Sequence, residues 1–209
     1  MTPKRKHLLM RAAANRQKDL IVVLENVHDP HNISAVLRSC DSVGVSELYL
    51  LLTDPAMHIK KIQMGKRSSA GARKWIKVYR YHDAKICFQD IRSKCDHIYG
   101  TFLGEKEPKD LFKMNLTNPC AFVFGNEQKG ISKEVQDLCD GHFIIPQAGL
   151  VQSLNISVAC AVTLYEAYRQ RRNASMYARP KDHPFTKEAM QFFTDRIESG
   201  DNGRNIEKR

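Results

Sequence analysis

Asn32, Arg38, Glu127, Ser153 and Asn155 supply a guanidinium, a carboxylate, a hydroxyl and two amides, each at or shortly after a polar turn that ends an apolar run. A fold that brought those turns to one edge would bring these groups together. Arg38 suits a phosphate, because its planar fork donates paired hydrogen bonds to anionic oxygens. As a set the five would bind and orient a sugar-phosphate; no Ser-His-Asp combination is evident beside them. Taken singly, each has a structural use: Asn32 and Ser153 as helix caps, Arg38 and Glu127 as surface charges.

The elements that must position them follow from apolar periodicity. Leu20 to Val27 is a continuous run of the kind buried on both faces in a parallel sheet. It ends in the turn His28-Asp29-Pro30-His31-Asn32, where Asn32 can cap a helix whose apolar residues Ile33, Val36, Leu37 and Cys40 recur at i, i+3, i+4 and i+7. Arg38 falls off that stripe and is free to face a substrate. Gly44 ends the helix. Further strands are expected at 47–52, 75–81, 97–103 and 120–124, with helices at 84–94 and 132–139.

The stretch from Ile144 to Val162 organises the end of this pattern. His142 to Ile145 reads as a strand stopped by Pro146, and beyond Leu154 the residues Val158, Ala161, Val162 and Tyr165 give a helix its apolar periodicity. Ser153 or Asn155 can cap that helix, whose free N–H groups suit an anionic or carbonyl-bearing ligand. Strands alternating with helices predict an α/β domain: a mostly parallel sheet, helices on both faces, ligands at the carboxyl ends of the strands. The turns at 28–32, 104–106, 125–130 and 146–153 all lie at such ends.

A net charge of +10 and a pI near 9.4 point to a polyanionic partner, nucleic acid first. Residues 3–18 form a basic amphipathic pattern, with Leu8, Leu9, Ala12 and Ala13 along one side and Lys4, Arg5, Lys6, Arg11 and Arg16 elsewhere. That helix either tracks a phosphate backbone or packs on the domain with a solvated face. A second basic, polar region, 53–73, carries Lys60, Lys61, Lys66, Arg67 and Arg73. Lys4, Arg5, Lys6, Arg11, Lys66, Arg67 and Arg73 are the candidate RNA contacts. Neither G-x-G-x-x-G after the first strand nor G-x-x-x-x-G-K-[ST] occurs, so both common phosphate cradles are missing.

Six cysteines without a C-x-x-C pair suggest small buried hydrophobes; His28 and His31 lack a third ligand at zinc spacing, so no metal is expected. The apolar runs are strand-sized and the N-terminus has no apolar signal core, which predicts a cytoplasmic protein without a membrane span. Composition shifts after Arg172. The expected organisation is a basic segment at 1–18, a domain at 19–172 and an extension at 173–209 with one helix at 186–199 and a disordered last ten residues.

Three blocks carry a resemblance: HNISAVLRSCDSVGV at 31–45, FGNEQKGIS at 124–132 and IIPQAGLVQSLNISVACAV at 144–162. In that order they resemble the SpoU/TrmH-type RNA 2′-O-ribose methyltransferases of the SPOUT superfamily. VHDPHNISAVLRSCDSVGV, the Ser-Ser-Ala-Gly…Trp segment at 68–75 and YEAYRQRRNASMY at 165–177 are similar to the branch acting on guanosine-18 of tRNA. The resemblance implies a SPOUT fold with a C-terminal trefoil knot, a homodimer, and S-adenosylmethionine held by the knot loops at Thr101, Leu103, Gly104, Phe124, Gly125, Ile145 and Leu154. It further implies Arg38 as main catalytic residue, a base or an electrostatic positioner of a 2′-hydroxyl, with Asn32, Glu127, Ser153 and Asn155 orienting it and the ribose. A ribosomal or wobble-position target, and a non-catalytic RNA-binding or chaperone protein, are the alternatives.

Overall fold

The structure, a computed structural model, describes residues 1–58, 71–102, 108–201, 203 and 206–208. Along the chain run α1 (Pro3–Ala14), β1 (Leu20–Glu25), α2 (Pro30–Ser42), β2 (Glu47–Leu51), α3 (Pro55–His58), β3 (Lys77–Tyr81), α4 (Ala84–Arg92) and β4 (His97–Thr101). There follow β5 (Lys109–Asp110), β6 (Cys120–Phe124), α5 (Lys133–Leu138), β7 (Gly141–Ile144), α6 (Ile156–Asn173), α7 (Pro184–Glu198) and β8 (Glu207–Lys208).

Every residue of β1 is buried, because the strand lies mid-sheet with a core on either side. Leu20, Val22 and Leu24 point to one core, shared with Ile33, Leu37 and Cys40 of α2 and Cys160 and Leu164 of α6. Ile21 and Val23 point to the other, shared with Cys87, Phe88 and Ile91 of α4 and Val135 of α5. The strand order is β5-β7-β4-β6-β1-β2-β3-β8, and all seven pairings are parallel. The expected α/β sheet with helices on both faces is what the chain forms.

Sequence periodicity misplaced several details. The α2 cap is Asp29, whose carboxylate accepts from the His31 N–H at 2.9 Å with Pro30 in the first helical position, so Asn32 lies inside the helix. In α6 the buried residues are Ile156, Cys160, Thr163, Leu164, Glu166, Ala167 and Arg171, whereas Val158 and Tyr165 are 47% and 52% exposed. Helix α1 stops at Ala14; Arg16 is buried against Asp41 at 2.6 Å and donates to the Val45 carbonyl. Arg73, placed among the RNA contacts, is also buried, in a 3-10 turn at Ala72–Trp75. The last residues were expected to be disordered, yet β8 adds in parallel to β3. Lys60, Lys61, Lys66 and Arg67 lie outside the described residues.

The two ends of the chain meet. Leu9 and Ala13 of α1 pack on Phe193 of α7, with Trp75 edge-on to Phe193 at 5.2 Å. This leaves Lys4, Arg5, Lys6 and Arg11 exposed on the outer face of α1.

Candidate active site

Because Asp29 caps α2, the Asn32 amide is free for other partners. Its Nδ2 donates to Glu127 Oε1, and its Oδ1 accepts from Asn155 Nδ2 at 3.1 Å. A carboxylate can only accept, so Glu127 fixes which way the Asn32 amide points and leaves its oxygen for Asn155. Asn155 in turn caps α6, its Oδ1 accepting from the Ser157 N–H at 2.9 Å and hydroxyl at 2.6 Å. Of the two caps the sequence allowed, Asn155 is the one used. This relay joins residues 95 and 123 positions apart.

Beside the relay is a cleft of about 650 Å³ at the carboxyl ends of β4, β6 and β7. Thr101, Phe124, Gly125, Ile145 and Leu154 line it, five residues expected at a cofactor site; Leu103 and Gly104 lie outside the described residues. Glu127, Ser153 and Asn155 line it too. Apolar walls with a few convergent polar groups, in a volume within roughly 300–1,000 Å³, suit a small organic ligand. Phe102 and Phe143 also line it and were not anticipated. Both follow directly in or after strand ends, a position sequence can flag only once the sheet order is known.

The cleft wall at 125–130 is a closed loop. The Asn126 N–H donates to the Gly130 carbonyl at 3.1 Å, and the Gly130 N–H returns a bond to the Asn126 carbonyl at 2.8 Å. Gly130 has φ +65°, and a Cβ on Gly125 would sit 2.1 Å from the Gly130 carbonyl carbon. Only glycine fits at 125 without moving the wall.

Four of the five polar candidates therefore gather at one place. Arg38 does not: it is exposed, lines no part of its own chain's cleft, and makes no hydrogen bond or ion pair with a described residue. Six residues along a helix place it about 240° round and about 9 Å beyond Asn32.

Thiol chemistry has little support. Burial pushes Cys120 up to about 11 and Cys139 up to about 12, well away from thiolate formation at neutral pH. Among the described residues no group of His, Cys, Asp and Glu could hold a metal ion, and no helix is long and apolar enough to cross a membrane.

The profile of the SpoU rRNA methylase family matches residues 19–165, which takes in all three motif blocks and the whole cleft. The chain belongs to the SpoU methylase family. This SpoU methylase is 40% identical over 183 residues to the tRNA (guanosine(18)-2′-O)-methyltransferase of Thermus thermophilus, covering 88% of this chain and 91% of the relative. It is 37% identical over 179 residues to the enzyme of the same name from Escherichia coli, covering 86% and 76%. The solved A. aeolicus TrmH/SpoU tRNA modifying enzyme superposes with a TM-score of 0.80 at 34% identity, over 93% of this chain and 97% of that one. The SpoU methyltransferase AviRb from Streptomyces viridochromogenes, solved in complex with the cofactor AdoMet, gives 0.64 at 27% identity over 77% and 61%. The SpoU methylase therefore has the SPOUT methyltransferase fold, and it is a methyltransferase.

Proposed function

We propose that this protein transfers the methyl group of S-adenosylmethionine to the 2′-hydroxyl of a tRNA ribose, guanosine-18 of the D-loop, acting in the cytoplasm as a homodimer. The observation that carries this reading is the relay Glu127–Asn32–Asn155, which ties the three motif blocks into one rim beside a ligand-sized cleft. The two relatives described above, alike over most of their length, support the choice of tRNA.

The cleft fits the cofactor. Ile145, Leu154, Phe102 and Phe143 give apolar walls, and Gly125 lets backbone approach closely. S-adenosylmethionine bound there supplies an electrophilic methyl on a sulfonium. The chain's residues do the rest: Asn32, oriented by Glu127 and Asn155, presents its amide to the ribose, and Ser153 holds the loop edge. An arginine is a donor at neutral pH, so Arg38 grips an RNA phosphate and stabilises charge growing on the 2′-oxygen as its proton passes to solvent water. Lys4, Arg5, Lys6 and Arg11 supply phosphate contacts that position the RNA.

A second copy is the source of the missing guanidinium. Leu150 and Val151 on the cleft loop and Val158 and Tyr165 on α6 are exposed apolar side chains with Arg38 on the neighbouring helix α2. Pairing along α6 buries that strip and brings one protomer's Arg38 toward its partner's cleft. The sheet order supports the knot: β7 inserts between β4 and β5 before α6 returns to α2.

Gly125→Ala is expected to push the 125–130 wall off its closed geometry and weaken S-adenosylmethionine binding about tenfold or more. Isothermal titration checks this, and unchanged affinity contradicts the placement of the cofactor. The function itself is tested by incubating the protein with methyl-labelled S-adenosylmethionine and unmodified tRNA transcripts, then mapping the product by nuclease digestion and mass spectrometry. Label on a D-loop ribose is expected. Label on ribosomal RNA alone would favour the other reading, for which a 36% identical 23S rRNA methyltransferase of Xanthomonas axonopodis is a precedent, although this chain spans 64% of its length. Transfer to no RNA at all overturns the proposal.

A further inference from the structure

We propose that Glu25 and Asn26, at the carboxyl end of β1, are positioning residues that set the cofactor-binding wall at 125–130. The proposal rests on the reading of the cleft given above. Asn126, Gln128, Lys129 and Gly130 line that cleft on one side and a separate polar cleft of about 520 Å³ on the other. A loop with open space on both flanks has little packing to hold it, so its place depends on its tethers, at Glu127 and at its two ends.

Both ends are tied to β1. Glu25 is fully buried, and its Oε2 accepts from the Ser132 N–H at 2.8 Å, where the loop enters α5. Its Oε1 accepts from the Thr53 hydroxyl at 3.0 Å. The Asn26 carbonyl accepts from Asn126 Nδ2 at 3.3 Å, at the loop's other end. Asn26 has φ +54°, a left-handed conformation that asparagine tolerates better than other side-chain-bearing residues. Its side chain explains why it holds that conformation: Nδ2 donates to Thr53 Oγ1 at 2.8 Å and Oδ1 accepts from the Asp54 N–H at 3.1 Å.

Two adjacent residues thus clasp the loop after β6 at both ends and brace themselves on the loop after β2. Between the clasped ends stands Glu127, which orients Asn32, and directly before the first of them stands Gly125, against the cleft. Neither Glu25 nor Asn26 lines the cofactor cleft, so they act through the wall and touch no substrate.

The test titrates S-adenosylmethionine and, separately, tRNA into the full-length protein and its variants. Glu25→Ala leaves the Ser132 N–H and Thr53 hydroxyl without their acceptor, and S-adenosylmethionine affinity is expected to fall about tenfold while tRNA affinity stays within about twofold. Glu25→Gln keeps one acceptor for Ser132 and recovers most of the loss. Asn26→Gly keeps the left-handed backbone and the carbonyl that holds Asn126 but loses the brace, so its effect is smaller, about threefold; Asn26→Ala adds backbone strain and is worse. Wild-type affinity in Glu25→Ala overturns the proposal. So does a joint loss of cofactor and tRNA binding with early melting in both Glu25→Ala and Asn26→Gly, which would mark a general structural role. If the wild-type protein itself fails to bind S-adenosylmethionine, the reading of the cleft falls first and the clasp's role with it.

Discussion

Arg38→Ala is expected to stop methyl transfer, lowering kcat by about 10³-fold, while S-adenosylmethionine still binds within about twofold of wild type. The side chain is exposed and bonds to no described residue, so its loss creates no cavity and breaks no contact within the chain. Single-turnover kinetics at saturating cofactor read the chemical step directly. Melting should be unchanged, which separates this variant from a folding defect. Because Arg38 stands apart from its own cleft, mixing matters as well. A heterodimer of Arg38→Ala with Gly125→Ala regains one site with both elements intact, so at a cofactor concentration too low to load Gly125→Ala, activity should exceed the sum of the two proteins alone when they are unfolded and refolded together. No recovery would place Arg38 and Gly125 in service of the same chain's site.

The second large effect, on stability, is expected at Arg171. It is completely buried in α6, yet every group of its fork is used: Nε donates to the Leu116 carbonyl at 2.9 Å, Nη1 to Asp19 at 2.7 Å and Gln17 at 3.1 Å, and Nη2 to the Asn118 carbonyl at 2.8 Å and the Asp19 carbonyl at 3.2 Å. One guanidinium thus ties the end of α6 to the approaches to β1 and β6. Arg171→Leu strands three backbone carbonyls, the Gln17 amide oxygen and the partly exposed Asp19 carboxylate, and is expected to cost about 3–5 kcal/mol, because several acceptors lose their donor at once. For a chain of this size that lowers the melting temperature by roughly 6–20 °C. Arg171→Lys should rescue little, since a single ammonium cannot serve all the acceptors on two segments. A loss below about 1 kcal/mol in urea denaturation would contradict the account.

Arg171 also shows where reading residues in order runs out. Apolar runs are sufficient for β1, β2 and β6, because a strand buried on both faces is apolar along its length, with Glu25 and Glu47 only at strand ends. On α6 the same logic chose the wrong face. Its inner side carries Thr163, Glu166 and Arg171, polar groups satisfied by hydrogen bonds, while Val158 and Tyr165 face outward. Hydropathy cannot register an arginine whose desolvation is offset by five acceptors on distant segments. At the site, residue types named Asn32, Glu127, Ser153 and Asn155, and the motif blocks named the cleft. What they could not supply was the relay itself, since assigning Asn32 as a cap assumed that Asp29 was not one. Arg73 was grouped with exposed cations on composition alone, and tertiary packing placed it inside.

The outermost strands, β5 and β8, are each two residues long. A sheet bounded in this way presents no extended row of unpaired backbone groups at either margin among the described residues, so a neighbouring molecule gains almost nothing by adding a strand. Contact between copies then falls to side chains on helices and loops, whose shapes discriminate between partners. The short β8, part of a tail that looks like a spare appendage at the level of composition, therefore helps keep a strongly parallel sheet from polymerising at one margin.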